Sequence, residues 1–78
     1  MPIKLVSSDQ CIPCKLLKKW LEEHGVKFKE INVDTEEGLK FANEKNIRAI
    51  PTVIKDGKIL FIGLPPEKRL KEIFNVKD

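Results

Sequence analysis

The run Val6-Ser7-Ser8-Asp9-Gln10-Cys11-Ile12-Pro13-Cys14-Lys15-Leu16-Leu17 decides how the rest of the chain is read. Before it, Ile3 to Val6 is a short apolar strand. Ser7 to Gln10 is a polar loop of helix-capping residues. After it, Leu16, Leu17, Trp20 and Leu21 recur at helical spacing, and Gly25 following His24 marks a helix C-terminus. The run is therefore the junction of a strand, a loop and a helix, with both cysteines at the start of the helix.

Working outward, Val26 to Val33 reads as a second strand whose alternation slips. Val26 and Phe28 lie on one phase and Ile31 and Val33 on the other, which points to a bulge or an end effect. Asp34 with Glu37 looks like a capping box opening a helix that carries Leu39 and Ala42, and Gly38 weakens that helix by up to ~1 kcal/mol relative to Ala. Two apolar runs, Ile47 to Lys55 and Lys58 to Ile62, flank Asp56-Gly57, a signal for a type I′ hairpin. Pro65-Pro66-Glu67 starts a last helix, with Pro at its first position and Leu70, Ile73 and Phe74 on its buried face. The order is β-α-β-α-β-β-α. The strand–helix–strand start favours a right-handed parallel crossover, and the hairpin adds two antiparallel strands. The expected fold is α/β, a four-stranded mixed sheet with the first strand central and three helices on its two faces. The cysteines then lie at the carboxyl end of the first strand, where open α/β sheets place their ligands.

Composition narrows the class. At 78 residues the chain forms one domain, residues 1–78, because a chain this short buries only about 60% of its unfolded surface. Its two cysteines close at most one bridge, and so short a loop constrains the unfolded chain very little. The pair is better explained by chemistry than by stapling. No secretory h-region follows Met1 and no apolar run approaches the ~20 residues of a membrane span, so the chain is read as cytoplasmic with no membrane partner. In that compartment a close cysteine pair is more often catalytic or metal-binding than a permanent disulfide. The 15 basic and 12 acidic residues, net +3, interleave along the whole chain. That is a solvated surface and not a nucleic-acid stripe.

At a helix N-terminus, unpaired N–H groups and the helix dipole favour negative charge. A thiolate there is stabilised, and the thiolate is the nucleophile; Lys15 adds positive charge nearby. Pro13 costs little in a first turn, since its missing N–H has no partner there anyway. Residues three apart at a helix start have Cα atoms roughly 5–6 Å apart, inside the window of an unstrained disulfide. Cys11, at the outer tip, is the expected attacker, and Cys14, one turn in, the resolving thiol. The competing readings are two inert buried cysteines or a zinc site. Zinc takes about four ligands, and His24, the one other good donor, lies ~15 Å along the helix from Cys14. His24 is read as a solvent-facing residue, Trp20 as packing, and Arg48 as either an anion-orienting group or a loop charge.

Cys11-Ile12-Pro13-Cys14 after the first strand, Ala49-Ile50-Pro51-Thr52 before a hairpin, and Gly63 before the last helix together resemble the thioredoxin–glutaredoxin superfamily. The resemblance implies a thioredoxin fold and a protein disulfide oxidoreductase that carries electrons and serves cell redox homeostasis. It implies a cis Ile50–Pro51 bond beside the cysteine pair, catalytic Cys11, Cys14 and Pro51, and a substrate rim of Ile12, Pro13, Ile50, Gly63 and Leu64. No metal is implied, and no cofactor beyond the redox-active disulfide. Size and strand order look like glutaredoxin, but the features that hold glutathione are eroded. Ser8 stands where glutaredoxins have a basic residue, and Gly63-Leu64-Pro65-Pro66-Glu67 lacks the second Gly and both Asp of their Gly-Gly-x-Asp-Asp segment. The stretch resembles that of glutaredoxin-like redoxins. This implies a monomeric carrier recharged by a thioredoxin reductase and serving disulfide-containing proteins such as ribonucleotide reductase. The alternatives are a glutathione-dependent glutaredoxin, a redox-sensitive binding module without turnover, and an iron–sulfur carrier sharing a cluster through Cys11 and glutathione.

Overall fold

The computed structural model describes residues 3–76, and its seven elements follow the expected order. They are β1 (Ile3–Ser7), α1 (Ile12–Glu23), β2 (Lys29–Asn32), α2 (Glu36–Glu44), β3 (Thr52–Lys55), β4 (Lys58–Ile62) and α3 (Glu67–Ile73). The sheet order is β2-β1-β3-β4, so β1 is central, parallel to β2 and antiparallel to β3. This is the thioredoxin fold.

Alternation along β1 divides the sheet into two faces. Leu5 and Val53 meet Leu17, Trp20 and Leu21 of α1 and Leu70 of α3 in one buried cluster, with Val26, Phe28, Phe61 and Phe74 packed against it. Each fully buried Leu there contributes about 1.5–3 kcal/mol relative to exposure. The other face is thinner. Lys4 places its ammonium 5.1 Å from the centre of the Phe41 ring, and α2 buries only Gly38 and Ala42. Leu16 and Leu39, apolar residues of α1 and α2, are 53% and 51% exposed.

Several boundaries differ from the sequence reading for local reasons. The slipped alternation is an end effect: Val26 and Phe28 pack on the core before β2 starts, and Ile31 faces the other side. Thr35, not Asp34, caps α2, accepting from the Gly38 N–H at 3.0 Å. Asp34 is otherwise engaged, accepting from the Asp9 N–H at 2.7 Å. Gly38 is required rather than tolerated, because a Cβ there would collide with the backbone carbonyl of Asn32. At α3 the cap is Pro66, so the prolines precede the first helical position. Asp56 and Gly57 both have positive φ, as a type I′ turn demands. All three helices end in a Schellman motif. Gly25, Asn46 and Asn75 take positive φ, and the next residue donates back to Leu21, Ala42 and Lys71 respectively. The two Asn caps carry no Gly and were not read from the sequence.

Candidate active site

β1 delivers the chain to the site and α1 displays it. Cys11 is the N-cap of α1, with extended backbone, and its Sγ accepts the Cys14 N–H at 3.1 Å. Ile12 and Pro13 follow as the first two helical positions, so Pro13 removes no helical hydrogen bond. Cys11 and Cys14 form a disulfide across a Cα separation of 5.2 Å, within the expected window. The two sulfur positions differ in access. Cys11 is half-buried, whereas Cys14 is 2% exposed.

The remaining residues of the expected site gather at the same end of the sheet. Val6 pairs with Thr52 and Thr52 with Ile62. Ile50 and Pro51, before β3, and Gly63 and Leu64, after β4, therefore emerge beside the loop that carries Cys11. The Ile50–Pro51 peptide is cis, as the resemblance implies. Pro51 is buried, and its carbonyl accepts the Gly63 N–H at 2.7 Å. Buried Thr52 donates its hydroxyl to the Ala49 carbonyl at 2.6 Å, which fixes the turn before Pro51. Gly63 takes a φ of +85°, a conformation that favours glycine. Around this turn the apolar surface is open: Ile12 is 66% and Leu64 40% exposed, and Pro13 is exposed as well.

The other flank of the disulfide is polar, and the sequence reading missed it. Buried Ser7 donates its hydroxyl to Glu30 Oε2 at 2.9 Å, and Lys18 Nζ lies 3.0 Å from Glu30 Oε1. The Glu30 carboxylate, by its hydrogen bond first and its charge second, holds the Lys18 ammonium above its ordinary pKa. Ser8, Asp9, Cys14, Lys15, Lys18 and Glu30 line a recess of about 120 Å³ beside Cys14. Asn32 donates to Asp9 Oδ1 at 2.7 Å, so the turn after β2 fastens the loop before Cys11. These partners lie 12 to 25 residues apart, beyond any local pattern. The available signal was Glu30 itself, a carboxylate on the phase that Val26 and Phe28 make apolar.

Other candidates fall away from the site. Trp20 is 9% exposed and packs in the core, as expected. His24 is not solvent-facing: its ring stacks on Trp20 at 4.0 Å, and its Nδ1 lies 2.8 Å from the Trp20 carbonyl. Arg48 is exposed and donates to Asn46 at 3.3 Å. Glu67 faces Lys71 of its own helix at 3.8 Å. Among the described residues no group of three His, Cys, Asp or Glu could hold a metal ion. No helix there is long and apolar enough to cross a membrane.

Known proteins match this geometry. The family model for glutaredoxin matches residues 3–60. The glutaredoxin-like protein NrdH of Lactococcus lactis subsp. cremoris is 37% identical over 70 residues, covering 88% of this chain and 96% of the relative. A probable thioredoxin of Archaeoglobus fulgidus is 35% identical over 75 residues, covering 91% and 82%. Among solved structures, the glutaredoxin-like NrdH-redoxin of Escherichia coli, described as having a thioredoxin-like activity profile, superposes with a TM-score of 0.71 at 25% identity. That match covers 100% of this chain and 97% of the other.

Proposed function

Because the chain belongs to the glutaredoxin family, we propose that Cys11 attacks substrate disulfides, Cys14 releases the product, and a flavoprotein thioredoxin reductase restores the dithiol. The protein is a dithiol–disulfide oxidoreductase, and its redox-active group is the Cys11–Cys14 pair. The division of labour rests on one observation: Cys11 is accessible at the helix tip and Cys14 is 2% exposed behind it. In the reduced protein the Cys11 thiolate attacks one sulfur of the substrate disulfide, and the other sulfur leaves with the bonding pair. Cys14 then attacks Cys11 Sγ, the second substrate sulfur leaves, and the internal disulfide is restored. Two electrons pass from protein to substrate.

Pro51, Gly63, the half-buried Ile50 and the exposed Ile12, Pro13 and Leu64 supply the docking rim, which is apolar and needs no charge on the partner. Glutathione, by contrast, is a small anion. Ser8 offers it no cation, and Glu67 already faces Lys71. A lost charge-assisted hydrogen bond typically costs ~1.5–3 kcal/mol. Losing two weakens glutathione by a hundredfold or more, which favours a protein reductase as donor. Disulfide proteins such as ribonucleotide reductase are the substrates this reading supplies, and the reducing cytoplasm is where such a pair cycles. Side-by-side turnover assays test it. NADPH with thioredoxin reductase is expected to outpace glutathione with glutathione reductase. Turnover with glutathione alone would make the protein an ordinary glutaredoxin.

A further inference from the structure

A resolving thiol must lose its proton before it can attack, and Cys14 is buried where bulk water has little access. An ordinary thiol, with a pKa near 8.5, is mostly protonated at neutral pH. We propose that Glu30 takes that proton through water in the recess it shares with Cys14, with Ser7 and Lys18 as its positioning residues. The proposal rests on the reading of Cys14 as the resolving thiol.

Three observations support it. First, Glu30 and Cys14 line the same recess of about 120 Å³, room for a few waters at the ~30 Å³ each occupies in the liquid. Second, Glu30 occupies a position where the strand's own pattern calls for an apolar residue, since Val26 and Phe28 on that phase pack on the core. Its partners there are Ser7 and Lys18, and its side chain, 36% exposed, stays open to water. Third, those partners leave it reactive. Ser7, 2% exposed, donates to Oε2 and Lys18 to Oε1. Each carboxylate oxygen has two acceptor sites, so one on each remains for water. Asp9 lines the recess too, but it is exposed and its Oδ1 already accepts from Asn32. The charged groups around Glu30 are Lys18 and Lys15 from α1, Asp9 from the loop, and Lys4, Lys29 and Glu37, which line a second hollow with it, while Glu22 acts on Lys18.

In the mixed disulfide between Cys11 and substrate, the Cys14 thiol gives its proton by way of water to the Glu30 carboxylate. The Cys14 thiolate bonds to Cys11 Sγ, and the bond from Cys11 to the substrate sulfur breaks. That sulfur leaves with the electron pair and receives a proton from Glu30, which regenerates the carboxylate. The protein dithiol is oxidised to a disulfide and the substrate disulfide is reduced to two thiols.

The test is stopped-flow oxidation of the fully reduced chain by 5,5′-dithiobis(2-nitrobenzoate), which releases one nitrothiobenzoate at the Cys11 attack and a second when Cys14 resolves. Rates are read from about pH 3.5 to about pH 9, spanning the carboxylate and thiol ranges. Glu30→Gln is expected to leave the first release unchanged and slow the second by about a hundredfold or more near neutrality, the scale of a general base. The deficit should close towards about pH 9, where the thiol ionises unaided. Glu30→Asp, which keeps the carboxylate, recovers much of the rate. Lys18→Met moves the pH midpoint of the second release upward, which a merely structural prop would not do. Asp9→Asn, whose amide oxygen can still accept from Asn32, slows the second release far less than Glu30→Gln does. An unchanged second release in Glu30→Gln at every pH overturns the proposal, as does Glu30→Asp as slow as Glu30→Gln, or a deficit in Asp9→Asn as large as that of Glu30→Gln. If the wild-type protein releases no second equivalent, the assignment of Cys14 as resolver falls along with it.

Discussion

The two flanks of the disulfide are built from opposite materials. On the β3–β4 side the chain presents a buried proline, a glycine whose N–H is bound to the Pro51 carbonyl, and the open side chains of Ile12 and Leu64. On the β2 side it presents Ser7, Asp9, Lys18 and Glu30, joined by hydrogen bonds and an ion pair. The first flank is suited to lying against another protein, since apolar contact gains by excluding water. The second is suited to holding water and moving protons. One thiol of the pair serves each flank: Cys11 is open to the outside, and Cys14 is enclosed beside the polar recess.

The contrast breaks at once if the two cysteines prove interchangeable. Either Cys→Ser substitution should drop turnover to the uncatalysed rate, the largest effect expected of any change here. They should differ in what they trap. Cys14→Ser accumulates a stable mixed disulfide with substrate, because attack occurs and release does not. Cys11→Ser traps nothing. Mass spectrometry of the two variants after exposure to a protein disulfide reads this directly, and equal trapping would reverse or abolish the roles. Iodoacetamide should likewise alkylate Cys11 faster than Cys14 in the reduced protein.

The polar flank also has a support that can be removed. Asn32 holds Asp9 with its side chain, while its backbone carbonyl accepts from both the N–H and the hydroxyl of Thr35. Gly38 lets α2 sit close enough for this. Gly38→Ala should lower stability by about 1–3 kcal/mol, the range of an overpacked site, although Ala is otherwise preferred in a helix interior by ~0.8–1 kcal/mol. Urea unfolding measures the balance. A more stable Gly38→Ala would mean that α2 can move away at no cost.

The apolar flank was legible from sequence and the polar one was not, for a physical reason. Cys11 to Cys14, Ala49 to Thr52 and Gly63 are short runs whose chemistry is local: a helix tip, a turn before a hairpin, a backbone position with positive φ. The order of elements followed from the same kind of signal, with Asp56-Gly57 setting one hairpin and Gly25 ending one helix. The Ser7–Glu30–Lys18 link joins a strand, its parallel neighbour and a helix, and only the β1–β2 register, Leu5 opposite Glu30, brings them together. The shift of the α2 cap from Asp34 to Thr35 has the same origin. Asp34 scores well as a cap by itself, but a partner 25 residues away uses its carboxylate.

A charge placed in the apolar rim sharpens the comparison with a smaller effect. Leu64→Asp should lower kcat/KM for a protein disulfide about tenfold, equivalent to ~1.4 kcal/mol, and change the rate with a small aromatic disulfide far less. Steady-state assays with the two substrates separate docking from chemistry. Equal losses on both would place Leu64 in the chemistry and not in the rim.

The smallest effect belongs to Lys18, where kinetics and stability should part company. Its ion pair with Glu30 is half in solvent, the two side chains being 41% and 36% exposed. Pairs of that kind contribute less than about 1 kcal/mol to folding, and salt screens them further. Lys18→Met should therefore barely change the melting temperature at neutral pH, although the same variant moves the pH dependence of Cys14 resolution. The sign of the pH effect follows from the raised Lys18 pKa. Glu30 holds the ammonium above its ordinary 10.5 in the folded chain, so the stabilisation is fully present below 10.5 and fades as pH rises through the higher folded value. Wild type and Lys18→Met should thus differ slightly below that range and converge above it. Melting curves across alkaline pH test this, and a gap that persists unchanged through that range would show that the difference does not come from the Lys18 charge on Glu30.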